Sequence, residues 1–290
     1  MFVFKAAVVG AGVMGGEIAQ VIAAAGVPVV LKDVDTRFVD AGLEKAREVT
    51  EGQLSKLVKK EKLTREQADA QREGVLGLIT PTTGYDEFGD VDFVIEAVPE
   101  QMKIKHAVFA ELDAVTPGHA ILASNTSGLS ITEIGDAVNR PDKVVGFHFF
   151  WPASYMRLIE IVEGDETSSE TAQAAANFAQ AIRKMPVRCA EAPGFVVNRI
   201  LASAASEVWR YQDETGTSIE AIDEALTSSG LVPMGPFRLA DMSGLDTALK
   251  VARDMRDAYG DRFYVHRGME ELVAQGDLGA KSGKGFYEHA

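Results

Sequence analysis

Four short segments carry side chains that could do chemistry. Ser124-Asn125-Thr126-Ser127 follows an apolar run, and so does Phe147-His148-Phe149-Phe150-Trp151-Pro152. Leu158-Ile159-Glu160-Ile161-Val162 sets a carboxylate inside an apolar strand. Pro193-Gly194-Phe195-Val196-Val197-Asn198-Arg199 opens a helical stretch. Oxidising an alcohol needs few parts: a base for the hydroxyl proton, an orienter for that base, and donors for the carbonyl oxygen that develops. Each residue also has a plainer reading. His148 in an aromatic run reads by itself as a core histidine, Ser127 as a turn residue, and Asn198 as a helix-starting residue. Glu160 needs a buried partner in any case, because an unpaired buried carboxylate is costly.

Such chemistry also needs an electron acceptor, and the N-terminal residues supply a place for one. Phe4-Lys5-Ala6-Ala7-Val8-Val9 predicts a buried strand, and it runs straight into Gly10-Ala11-Gly12-Val13-Met14-Gly15. An Ala-rich helix from Glu17 to Ala25 and a second strand, Val27 to Asp33, complete a βαβ dinucleotide-binding fingerprint. Gly10 permits the tight turn, Gly12 lets the backbone approach a pyrophosphate, and Gly15 lets the helix pack on the strand. The helix N-terminus offers N–H groups and a positive dipole end to the phosphates. Asp33 ends the second strand, where a carboxylate can accept hydrogen bonds from ribose hydroxyls and repels a 2′-phosphate. NAD is therefore expected over NADP.

The remaining elements must position these residues. A chain of 290 residues suggests about two domains. Periodic apolar residues Leu43, Ala46, Leu54, Leu57 and Val58, then a segment from Thr64 to Glu73, predict a helical hairpin over about residues 40–73. Residues 75–80, 91–98, 120–124 and 144–149 read as strands, with a helix from about Lys103 to Ala114. Alternating strands and helices predict an α/β, Rossmann-like doubly wound sheet. Its ligands belong beyond the carboxyl ends of the strands, where Glu96, Asn125, Ser127 and His148 fall. A helix from Thr171 to Met185, stopped by Pro186, and a short strand, Val187 to Cys189, follow. An all-helical C-terminal domain comes next, with a long helix and further helices over Ile219–Thr227 and Thr247–Tyr259. The expected division is residues 1–187 and 188–290.

Bulk properties narrow the function. With 29 basic and 43 acidic residues the formal charge is −14, which argues against a nucleic-acid partner. An anionic substrate needs a local basic patch working against that field. No apolar run is long enough to span a bilayer. The one cysteine, Cys189, excludes an internal disulfide and fits a reducing compartment, so a cytoplasmic location is expected. The chain begins almost at once with a strand, which leaves no room for a signal peptide. The five histidines are scattered, with no metal-ligand spacing.

Taken together, these motifs resemble the L-3-hydroxyacyl-CoA dehydrogenases in their short form. The resemblance rests on the glycine fingerprint, Val94-Ile95-Glu96-Ala97-Val98-Pro99-Glu100, Ser124 to Ser127, His148-Phe149-Phe150 and Pro193 to Arg199. Gly235-Pro236-Phe237 and Lys281-Ser282-Gly283-Lys284-Gly285-Phe286-Tyr287 extend it nearly to the C-terminus. It implies that His148 is the general base and Glu160 its partner. Ser127 and Asn198 would hold the substrate oxygens. Val13, Met14, Ala97, Glu100, Lys105, Ser127 and Lys281 would join the glycines and Asp33 at the cofactor. Lys56, Lys59 and Lys60 of the hairpin would meet the CoA phosphates of an acyl-CoA substrate, and the helical domain would form a homodimer.

One position departs from that pattern. The family usually has a small polar residue after His-Phe-Phe, and here it is Trp151. An indole there is expected to reshape the acyl pocket or stack on the ligand, affecting chain-length preference more than NAD affinity. Two other readings stay open at this level: a dehydrogenase of a small 3-hydroxy acid without CoA, such as gulonate or carnitine, and a non-catalytic, crystallin-like NAD-binding protein. The prompt end after Tyr287 suggests a free-standing enzyme rather than a module of a multifunctional chain.

Overall fold

The first strand is short and entirely buried because it becomes the centre of a sheet covered on both faces. In a computed structural model that describes residues 2–289, β1 (Ala6–Val9) leads through the glycine turn to α1 (Val13–Ala24) and β2 (Val29–Lys32). The helical pair α2 (Thr36–Lys59) and α3 (Arg65–Leu76) precedes β3 (Ile79–Thr82). Then come β4 (Phe93–Glu96), α4 (Met102–Val115), β5 (Ile121–Ser124), α5 (Ile131–Gly135) and β6 (Val144–Phe149). β7 (Leu158–Glu163), α6 (Ser169–Ala181) and β8 (Met185–Ala190) complete this part of the chain. The strand order is β3-β2-β1-β4-β5-β6-β7-β8. All neighbours are parallel except β6 and β7, which run antiparallel.

The expected Rossmann-like sheet is present, with the direction of winding reversing between β1 and β4. Strands β1, β2, β4 and β5 are apolar runs buried at every position, as a parallel sheet covered by helices requires. The core is closed by α6, whose alanines let it lie against the sheet beside an aromatic cluster. In that cluster the Phe93 ring sits 5.1 Å from Phe147 and 4.7 Å from Phe178.

Several expected boundaries move: α1 begins at Val13 rather than Glu17, and the largest shifts fall around β3 and β8. The helix expected to reach Met185 ends at Ala181, and Met185-Pro186 opens β8. Proline cannot donate to a ladder and is confined to sheet edges. The two edge strands of this sheet, β3 and β8, are the ones that contain Pro81 and Pro186. The strand expected over 75–80 begins only at Ile79, because α3 runs through Val75 and Leu76 before Gly77 ends it. The helical hairpin is accordingly longer than residues 40–73, from Thr36 to Leu76. The short helix α5 was not foreseen.

The chain divides into two compact units, one ending at Ala192 and one beginning at Pro193. That lies a few residues beyond a division between 187 and 188, because β8 keeps its pairing with β7 as far as Ala190. The second unit comprises α7 (Val197–Thr215), α8 (Ile219–Ser228), α9 (Pro236–Ser243), α10 (Leu245–Tyr259) and α11 (Arg267–Gln275). Of these, α9 and α11 carry no expectation from the sequence. Trp209, Ile222, Phe237, Leu245, Leu249 and Met269 form its core. Two buried carboxylates stitch its tail into place. Asp223 accepts from the amides of Phe237 and Arg238 and from the Tyr287 hydroxyl. Asp241 accepts from the amides of Phe286 and Tyr287 and is hydrogen-bonded to His289. The Gly235-Pro236-Phe237 and Gly285-Phe286-Tyr287 motifs thus serve the fold of this unit.

The start of α3 is set by a complete capping box, in which the Thr64 hydroxyl accepts from the Gln67 amide and the Gln67 side chain accepts from the Thr64 amide. Thr64→Ala is expected to cost about 1 kcal/mol, read as a lower urea midpoint with an unchanged slope.

Candidate active site

The glycine turn is built by close backbone approach. A Cβ on Gly15 would fall 1.7 Å from the Gly10 carbonyl oxygen, so α1 can start here only without a side chain at that position. A Cβ on Gly12, in contrast, would meet nothing within 4 Å. Gly12 is also the N-cap of α1, and among the described residues no side chain caps that helix. Open space in front of an uncapped helix N-terminus suits a pyrophosphate. Val13 is exposed and Met14 half-buried beside it. Asp33, just past β2, accepts from the Ala11 amide at 2.7 Å through Oδ2 and from the Val34 amide through Oδ1. These two bonds aim the carboxylate along the rim of the turn and leave it further lone pairs for hydroxyl donors. The residues present therefore fit NAD.

A second cluster forms where β4 and β5 end side by side. Glu96 and Ser124 are register partners. The fully buried Glu96 carboxylate accepts from the Ser124 hydroxyl at 2.6 Å, the Val98 amide at 2.7 Å and the Lys105 ammonium at 2.7 Å. Lys105 reaches on to Glu100 at 3.2 Å. Glu100 in turn accepts from the Thr126 hydroxyl at 2.6 Å and the Ser127 amide at 2.9 Å. Burial pushes the Glu100 carboxyl up, but the Lys105 charge and these hydrogen bonds outweigh it and hold the group below its ordinary value. Its stabilising contribution is thus present above the unfolded carboxyl range and is lost only as the pH falls through the lower folded value. Lys105 is not a surface cation: it lies 1 % exposed beneath Glu100, and Glu100 and Ser127 are the exposed members, with Ala97 half-buried nearby. In the sequence alone Glu96 stands near a strand end with no evident partner. The signal was there, since a carboxylate closing an apolar strand must find donors.

The third cluster comes from the antiparallel pair. His148 on β6 and Glu160 on β7 are direct cross-strand partners. His148 Nδ1 lies 2.7 Å from Glu160 Oε2, with both side chains buried. Adjacent on β6, the Phe149 amide donates to the Asn125 side chain at 2.9 Å, which ties the end of β6 to the Ser124–Ser127 loop. A buried carboxylate at Nδ1 selects the tautomer that carries its proton there and leaves the lone pair on Nε2. Such a nitrogen can take a proton from an alcohol.

Other expected residues lie apart from these clusters. Lys56, Lys59 and Lys60 are all exposed at the end of α2. A groove of about 440 Å³ between α2 and α3 is lined by Lys59, Arg65 and Arg72 together with Glu51 and Asp69. In the second unit, Asn198 is half-buried in the first turn of α7, and exposed Lys281 pairs with Asp246 of α10. Trp151 is 62 % exposed at the end of β6. Among the described residues there is no group of acids, histidines and cysteine suited to a metal, and no helix long and apolar enough to cross a membrane.

Comparison with known proteins places the chain in a family. Residues 5–192 match the family described as 3-hydroxyacyl-CoA dehydrogenase, NAD binding domain, and residues 194–289 match 3-hydroxyacyl-CoA dehydrogenase, C-terminal domain. The chain is 41% identical over 286 residues to "Probable 3-hydroxybutyryl-CoA dehydrogenase" of Deinococcus radiodurans, covering 98% of this chain and 100% of that protein. It is 38% identical over 289 residues to the fatty acid oxidation complex subunit alpha of a Psychrobacter species, where it covers 98% of itself and spans only 38% of that relative's length. Among solved structures, (S)-3-hydroxybutyryl-CoA dehydrogenase PaaH1 from Ralstonia eutropha superposes with a TM-score of 0.91 at 36% identity, with 100% of each chain covered.

The bonds from Asp33 to the turn predict that Asp33→Ser weakens NADH binding and lets NADPH compete. The ratio of kcat/KM for NADH over NADPH should fall roughly tenfold or more, and a ratio equal to the parent's would contradict this role.

Proposed function

The chain belongs to the 3-hydroxyacyl-CoA dehydrogenase family, and we propose that His148 is the base of its reaction. That reaction is the NAD-dependent oxidation of a 3-hydroxyacyl-CoA to the 3-oxoacyl-CoA. The observation that carries the proposal is the 2.7 Å contact between His148 Nδ1 and the fully buried Glu160. Glu160 orients the imidazole, and its charge offsets that of the imidazolium once Nε2 has taken the 3-hydroxyl proton. NAD, when bound, accepts the hydride from C3. Ser127, kept in place by Glu100, holds a substrate oxygen.

Gly10, Gly12, Val13, Met14 and Gly15 receive the pyrophosphate, and Asp33 the adenosine ribose. Ala97, Glu100 and Ser127 line the nicotinamide side. Lys105 acts there through Glu100. Lys56, Lys59 and Lys60 meet the CoA phosphates. Their exposed cations in a chain of formal charge −14 are what support that assignment. Names of relatives favour a short acyl chain such as 3-hydroxybutyryl.

We also assign a homodimer. The exposed apolar side chains Ile200 and Leu201 on α7, and Leu239 and Met242 on α9, are what support it. Sedimentation equilibrium should return twice the chain mass, and a monomer at micromolar concentration would dismiss the assignment.

His148→Gln keeps the size and polarity of the side chain but removes the base. It should lower kcat by about a thousandfold while NADH still binds with parental affinity. A kcat near that of the parent would refute the role of His148.

A further inference from the structure

The turn between β6 and β7 joins the strand of His148 to the strand of Glu160, and two buried charges from outside the hairpin hold it. Glu17, on α1, is 4 % exposed. Its Oε2 accepts from the Ser154 amide at 3.0 Å and from the Ser154 hydroxyl at 2.9 Å. Lys184, in the segment between α6 and β8, donates to the carbonyls of Ala153 and Met156, the latter at 2.7 Å. Within the turn, the Tyr155 and Met156 amides both donate to the Pro152 carbonyl. Burial draws the Lys184 ammonium below the ordinary lysine range, and the charge of Glu17 opposes that shift.

The inner side of this turn is fixed, with Ala153 fully buried, while its outer side presents Trp151 and Tyr155 to solvent. Stability alone is a poor reason for such an arrangement. Burying an ammonium and a carboxylate is costly, and apolar replacements for buried charges are often neutral or stabilising. What the two charges supply is direction: amide, hydroxyl and carbonyl groups accept only one placement of the loop around them. Glu17 also belongs to the helix whose N-terminus faces the glycine turn. The position of Trp151 is therefore tied to the cofactor helix, in a loop contiguous with both members of the buried pair.

We propose that Glu17 and Lys184 are positioning residues that fix the β6–β7 turn and, through it, the placement of Trp151. The functional consequence rests on Trp151 facing the acyl chain, the expectation drawn above from its departure from the family pattern: acyl-length selectivity should then depend on two charges that touch neither substrate nor cofactor.

Two measurements test this on the full-length enzyme. The first is the fluorescence anisotropy of Trp151 in a Trp209→Phe background. Trp209 is buried in the second unit and, among the described residues, its Nε1 has no hydrogen-bond partner, so phenylalanine there breaks no hydrogen bond. The second is kcat and KM for acetoacetyl-CoA and 3-oxodecanoyl-CoA with NADH. Glu17→Ala should lower the anisotropy and change the selectivity between the two substrates roughly fivefold or more. The change should lie in KM for the acyl-CoA, with kcat and NADH affinity within about twofold. Glu17→Gln, which keeps an acceptor oxygen, should restore most of both. Ser154→Ala, which removes one bond without touching a charge, should show a smaller effect in the same direction. In the Trp151→Asn background, Glu17→Ala should add nothing to selectivity. Parental anisotropy in both Glu17→Ala and Ser154→Ala overturns the positioning role. Selectivity effects of Glu17→Ala and Trp151→Asn that simply multiply overturn the route through Trp151. Loss of anisotropy in Glu17→Ala, with parental selectivity in Trp151→Asn, upholds positioning and refutes the acyl-facing reading of Trp151 instead.

Discussion

A carboxylate removed from water must be given donors, and this constraint organises the protein. Among the described residues, the buried acids are Glu17, Glu96, Glu160, Asp223 and Asp241. Each sits where two or more elements have to meet. Glu96 gathers the end of β4, β5 and α4; Glu160 pairs β7 with β6; Glu17 ties α1 to the turn after β6. In the second unit, Asp223 and Asp241 receive the start of α9 and the C-terminal tail. An unsatisfied buried charge costs far more than a lost surface contact. The donors are therefore as tightly constrained as the acids. Precision at the sheet's carboxyl edge follows from that constraint more than from hydrophobic packing, which is non-directional.

The three clusters of the first unit divide the chemistry among different physical means. The glycine turn works by absence: missing side chains permit backbone approach and leave the helix N-terminus uncovered. The Glu96–Lys105–Glu100 chain works by relayed charge, with the fully buried members holding the exposed one. The His148–Glu160 pair works by register, because antiparallel partners on one sheet face are adjacent without help from a loop. Cross-strand placement suits a base whose tautomer must be fixed, since two strands in a buried sheet move little relative to one another.

Much of this was legible in the residues. The βαβ fingerprint, the buried strands and the helical second half follow from periodicity and composition, and the capping box at Thr64 is visible as Thr-x-x-Gln. The ends of elements were less legible. Pro186 reads as a helix stop, yet it lies inside β8, because an edge strand has one side on which no donor is required. Val75 and Leu76 read as strand but finish α3, where local pattern cannot distinguish a short apolar run of either kind. The resemblance implies Lys105 as a cofactor contact, yet it is buried under Glu100, paired with Glu96 at the end of β4.

The sequence by itself determined the fold class, the cofactor type and the presence of an imidazole and a carboxylate suited to alcohol oxidation, because those depend on local periodicity, glycine placement and residue chemistry. Beyond the partnership of His148 and Glu160, which the resemblance already implied, tertiary structure decided which acid meets which donor. It set the Glu160 carboxylate against Nδ1 of His148, put Lys105 between two glutamates, and brought Glu17 to Ser154 across a sequence separation of 137 residues. The reason is that partner choice for a buried charge is settled by strand order and register, which bring together residues that no local pattern connects.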